Sequence, residues 1–109
     1  QAWRAGGPTN GSRFGWAVSA VSGYLLVGVP RIGDVGVYHG GAHLYRVDDD
    51  GIEGPVGVFS GETNTQYSEL GSVVDLHRED DQAWIGLGSM WGTGTHTQGG
   101  SVYVGSFTP

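Results

Sequence analysis

The sequence predicts an all-β protein made of a duplicated unit of short antiparallel strands. The glycine content, the short apolar runs broken by turn residues, and three blocks that recur in the same order all point to it. Glycine supplies 22 of 109 residues. No G-X-Y period runs through them, and aromatics are frequent, with four Trp, five Tyr and three Phe. Collagen and simple disorder are therefore disfavoured. Glycine among β-branched and aromatic runs fits tight turns between strands, and the length suits one ordinary domain.

The duplication is direct. Phe14-Gly15-Trp16-Ala17-Val18-Ser19 returns as Leu70-Gly71-Ser72-Val73-Val74-Asp75. Leu26-Val27-Gly28-Val29-Pro30 returns as Trp84-Ile85-Gly86-Leu87-Gly88, and Gly40-Gly41-Ala42-His43-Leu44-Tyr45 as Gly99-Gly100-Ser101-Val102-Tyr103-Val104. The offsets of 56, 58 and 59 residues grow by small insertions that fall in loops.

Each unit reads as strands in sequence. Residues 14–19 and 24–29 are apolar runs bounded by Gly, Ser and Pro, as buried strands are. Residues 42–47 alternate loosely after paired glycines and form the third strand. Asp48-Asp49-Asp50-Gly51 supplies a turn that tolerates positive φ, and residues 55–60 form a weaker fourth strand. No segment shows helical periodicity.

Phe14-Gly15, Val27-Gly28-Val29-Pro30 and Gly41-Ala42-His43-Leu44-Tyr45 together resemble the FG-GAP repeat of integrin-alpha-like β-propellers, named for its Phe-Gly and Gly-Ala-Pro segments. The resemblance covers nearly the whole chain. Val29 stands where the family commonly has Ala, and the second repeat departs further, with Leu70 for Phe and Gly88 for Pro. The resemblance implies four-stranded antiparallel blades around a central axis, with Phe14 and Leu70 plugging the space between adjacent blades. Glycine would permit the close backbone approach that crowding near the axis demands.

The division that follows is circularly permuted. Residues 1–13 are an outer strand of a neighbouring blade plus a loop, since Ala2-Trp3 falls on Val58-Phe59 at the same offset of 56. Residues 14–61 are blade one, and residues 62–109 are blade two without its outer strand. Each end lacks what the other offers, so the expectation is a head-to-tail homo-oligomer closing a ring. Propellers hold four to eight blades, and a trimer is favoured by similarity to certain lectins. The competing expectation is a piece of a longer propeller.

Composition excludes several functions. The formal charge is −6, with five Arg and no Lys. Nucleic acid is not an expected partner without a basic footprint, and anionic lipid is disfavoured for the same reason. No apolar run reaches the roughly 18 residues of a membrane span, so membrane insertion is not expected. Without Lys and Cys, Schiff-base and thiolate chemistry fall away.

The acidic run 48–51 suggests a calcium loop. In integrin-type repeats, however, such loops lie between the first two strands of a blade. Here that connection is Ala20-Val21-Ser22-Gly23, without a carboxylate. Glu79-Asp80-Asp81 does occupy the corresponding place in the second repeat, without Asp-x-Asp-x-Asp-Gly spacing. His39, His43, His77 and His96 lack the spacing of zinc ligands, and His43 reads as a packed or edge residue on its strand. No metal, cofactor or catalytic set is expected. A Gly-x-Ser-x-Gly elbow is missing, and the eleven acids offer no preferred pair for glycoside hydrolysis.

Two loops between second and third strands hold the candidate binding residues. Residues 31–39 carry Arg31, Asp34, Tyr38 and His39, and residues 89–98 carry Trp91 and His96. An aromatic face for the C–H side of a sugar ring, with hydrogen-bonding groups beside it, is how proteins hold carbohydrate. Tyr38 and Trp91 are the candidate platforms, and Arg31, Asp34, His39 and His96 the polar partners. The same loops serve equally to seal blade edges or to touch neighbouring chains. These residues lead us to expect a secreted or cell-surface, non-enzymatic module, most plausibly glycan-binding and assembled as a ring. The alternatives are a subunit of an extracellular filament joined by strand donation, or part of a longer adhesin.

Overall fold

The computed structural model describes residues 3–8, 11–34, 37–60, 69–89 and 101–109, with backbone alone at 33–34, 37–38 and 101. Among these residues the chain is all-β, with no helix. A four-stranded antiparallel sheet runs β1 (Val18–Val21), β2 (Tyr24–Gly28), β5 (Gly41–Asp48), β6 (Gly51–Ser60). A second sheet runs β7 (Val73–Glu79), β8 (Gln82–Ser89), β9 (Ser101–Phe107). In the connection between β2 and β5, β3 (Gly33–Asp34) and β4 (Val37–Tyr38) pair as a short hairpin where sequence predicts only a loop.

Each repeat opens on the same turn. Trp16 N–H donates to Arg13 O at 3.0 Å, and Ser72 N–H donates to Glu69 O at 3.3 Å. The residue just before the closing N–H is left-handed in both. Glycine occupies it, as Gly15 (φ +88°) and Gly71 (φ +98°), because the third residue of a type II turn needs positive φ. These turns displace the expected strand start at residue 14, so β1 begins only at Val18.

Strand registers also correct the sequence blocks. Gly15 N–H donates to Gly28 O and Gly71 N–H to Gly88 O, both at 3.1 Å. In the first sheet Val18 faces Val27, which faces His43, whereas in the second Val74 faces Leu87, which faces Tyr103. The counterpart of Gly28 is therefore Gly88 rather than Gly86, and that of Ala42 is Val102 rather than Ser101. The cause is hairpin length: β7 and β8 pair from Val73 through Glu79, while β1 and β2 pair only from Val18 through Val21. The extra residues Arg78, Glu79, Gln82 and Ala83 lengthen the paired strands beside the Asp80-Asp81 turn, where Asp80 takes φ +48°.

Successive side chains on a strand point to opposite faces. Tyr24, Leu26, Ala42 and Leu44 share one face of the first sheet and are buried against Leu76, Ile85 and Leu87 of the second. Val21, Phe59, Val74 and Phe107 border this core. Tyr24 and Phe107 meet edge to face, with centroids 5.2 Å apart. Burying each of Leu26 and Ile85 contributes roughly 1.5–3 kcal/mol. Polar contacts pin β7 to the β1 hairpin: Leu76 N–H donates to Ser19 Oγ at 3.1 Å, and Arg78 Nη1 donates to Ser22 O at 2.8 Å.

Leu70 joins this core. Phe14, its counterpart, lies on the opposite face of the first sheet, edge-on to His43 and Tyr45 at 6.1 Å. Residues 3–8 form no strand, and the Trp3 indole sits beside Gly51 at the β5–β6 turn. That turn is acidic for a local reason, since Asp48 Oδ1 accepts from Asp50 N–H at 2.8 Å. The opposite face of the second sheet carries Val73, Trp84, Val102 and Val104, all exposed.

Candidate functional site

One end of the molecule gathers the turn that opens each repeat and the β2–β5 connection. Pro30 follows β2 and the chain bends there, with Ile32 N–H donating to Val29 O at 3.3 Å. This bend directs Arg31 across to the second repeat's turn. Arg31 N–H donates to Ser12 O at 3.0 Å, tying the loop to the turn before Phe14. Ser12 is itself buried.

The Arg31 side chain continues the link. Its Nε donates to Glu69 Oε1 at 2.8 Å, a charge-assisted contact with side chains 34% and 16% exposed. Glu69 holds a left-handed backbone, φ +50°, while its carbonyl accepts from Ser72 Oγ at 2.6 Å. At this degree of exposure the pair stabilises the fold by about 1 kcal/mol or less. It mainly fixes where the guanidinium points.

His39 closes the same loop. Its carbonyl accepts from Leu70 N–H at 3.4 Å, and Gly41 N–H donates to Leu70 O at 2.7 Å. A parallel bridge between Gly40 and Leu70 results. Arg31 and His39, both predicted site residues, therefore stand at one end, Arg31 against Glu69 and the His39 carbonyl against Leu70. Asp34 and Tyr38 lie on β3 and β4, where Asp34 faces Val37 and Gly33 faces Tyr38. Trp91 and His96 lie outside the described residues.

Sequence reasoning missed Glu69, which lies 38 positions from Arg31; nothing local to either residue announces the pair. It also missed an open groove between residues 4–8 and the Phe14 turn, where Arg13 stacks on the Trp16 ring at 5.0 Å. His43 is buried on β5 as its strand position suggests, and burial lowers its pKa below the usual 6.5. Among the described residues no three His, Asp or Glu side chains gather as a metal would require.

At this end the chain offers a held guanidinium, a carboxylate and an imidazole on short loops. These are donors and acceptors for a polar ligand, placed by sheets that do not depend on them. A scan against protein-family models, a search of curated proteins and a search of solved structures each found no match.

Proposed function

We propose that the chain is a pair of FG-GAP-type propeller blades that associates head to tail and acts as a non-enzymatic, secreted or cell-surface module for binding carbohydrate. The observation that carries this reading is the convergence of the loops at one end, where Arg31, Glu69 and His39 meet around the Gly40–Leu70 bridge. In this reading the four-stranded sheet is the first blade, the three-stranded sheet the second, and Tyr38 and Trp91 supply the sugar platforms. Copies in a ring, three being the expected count, would present several weak sites on one face. Avidity then raises apparent affinity without new contacts.

A glycan array with the wild-type chain, followed by titration of any hit against Trp91→Ala, tests the binding site. The expected result is a defined glycan class bound by wild type and at least tenfold weaker binding by the variant, with the β-sheet circular dichroism unchanged. Retained binding removes Trp91 from the site, and no glycan bound by wild type removes the carbohydrate reading. A second reading, a subunit of an extracellular filament, is favoured by the exposed face of the second sheet. A head-to-tail contact closes into a ring or extends into a fibre according to its rotation angle.

A further inference from the structure

The two sheets are repeats of one another, yet their equivalent faces have different fates. In the first sheet, Tyr24, Ala42 and Leu44 are 7%, 0% and 3% exposed, covered by the second sheet. The registers make Trp84, Val102 and Val104 their counterparts, and these are 46%, 77% and 68% exposed. Gly86 stands where Leu26 does, and a Cβ on it would meet no atom within 4 Å among the described residues.

The covering surface is also duplicated. The face of the second sheet that does the covering carries Val74, Leu87 and Tyr103, whose counterparts in the first sheet are Val18, Val27 and His43. That face of the first sheet continues through Val58, opposite His43. Val18 and Val58 are exposed there. One molecule thus holds both halves of a contact it already makes once internally.

Gly88 supplies an independent sign. A Cβ on its counterpart Gly28 would overlap the Gly71 carbonyl, because the second repeat's turn nests against the end of β2. Among the described residues a Cβ on Gly88 would meet only Val73, at 3.4 Å, an ordinary contact. Nothing among the described residues requires glycine there. Another chain docked as the second sheet docks on the first would bring the Gly15 carbonyl, the counterpart of Gly71, to that position.

We infer that the face of Trp84, Val102 and Val104 docks a second copy of this chain, which presents the exposed Val18 and Val58 on its first sheet. The contact is heterologous, reproducing between molecules the packing of the two sheets within one. It deepens the self-association proposed above and rests on it.

Size-exclusion chromatography with light scattering on three forms of the chain tests this: wild type, a Trp84→Asp/Val104→Asp variant, and Val58→Asp. Wild type should assemble. Each variant should elute as the 11.4 kDa monomer with its β-sheet circular dichroism intact. Mixed in equal amounts, the two variants should form a 1:1 dimer that grows no further, since each retains one intact face. If the Trp84→Asp/Val104→Asp variant loses its β-sheet spectrum, Gly88→Leu replaces it, carrying bulk on the same face and none in the inner core. A variant oligomer of wild-type size, or a mixture that stays monomeric, overturns the docking faces while leaving self-association standing. A monomeric wild type overturns both.

Discussion

The same strand in the second sheet contains both extremes of the molecule. Ile85 on β8 is 1% exposed, packed between the sheets, while its neighbour Trp84 is 46% exposed on the opposite face. In the first sheet the face turned away from the shared core is partly screened by Phe14 against His43 and Tyr45. The second sheet has no such cover among the described residues. Two sheets built on one pattern therefore differ in how many of their faces are satisfied. Hydrophobic burial is local to a face, so a residue's contribution follows what stands opposite it rather than its own polarity.

Substitutions along β8 break this comparison most sharply. Ile85→Ala should destabilise the fold by about 2–5 kcal/mol through lost burial and a residual cavity. Trp84→Ala should change it by about 1 kcal/mol or less when measured on a monomeric background. Urea unfolding of both, in chains carrying Val58→Asp, checks the contrast, because assembly would otherwise make stability concentration-dependent.

The paired turns give the next largest difference. Gly71→Ala places a side chain at φ +98° and against the Gly41 carbonyl, and should cost at least about 1–3 kcal/mol. Gly15→Ala meets no atom within 4 Å among the described residues of the single chain, so its cost should be the backbone strain alone, about 1–2 kcal/mol. Denaturation midpoints of the two variants on the same monomeric background measure the gap. Equal losses would mean that the two turns are equally crowded and that the sheets do not nest as described.

Smaller effects belong to the loop end and to His43. Arg31→Ala should lower stability by about 1 kcal/mol or less, with the difference shrinking in high salt as screening weakens the Glu69 pair. Thermal melts at low and high ionic strength check it. His43 is the least of these. Burial depresses its folded pKa, so below the usual value of 6.5 the unfolded chain takes the proton first. Stability from this group is fully present above 6.5 and declines as pH falls toward the folded pKa. Unfolding from pH 7.5 down to 5 should show that decline in wild type and a flatter profile in His43→Gln.

Much of the fold was legible because its duplicated parts are marked by residues with backbone reasons to be there. Phe14-Gly15 and Leu70-Gly71 mark equivalent positions, though as turns rather than the strand expected from residue 14, and the acidic 48–51 run announces a hairpin whose carboxylate serves its own backbone. The hairpin lengths were not legible. Ser22-Gly23 and Asp80-Asp81 are both two-residue turns, and apolar runs alone do not tell how far the strands pair beyond them. Register therefore slipped between Gly86 and Gly88, which moves side chains to different partners. The β3–β4 hairpin was hidden by glycines at 33 and 36 that dilute the alternation. At the candidate site, Arg31 and His39 could be found from their loop, whereas Glu69 could not, because a contact made only by the fold leaves no pattern near either partner.

The central claim is that this chain's unsatisfied face and its matching face belong together in different copies. Native mass spectrometry of the wild-type chain over a micromolar range tests it most directly. The account predicts one discrete species at an integer multiple of 11.4 kDa, with three copies the expected number. A species of 11.4 kDa alone at every concentration would contradict it.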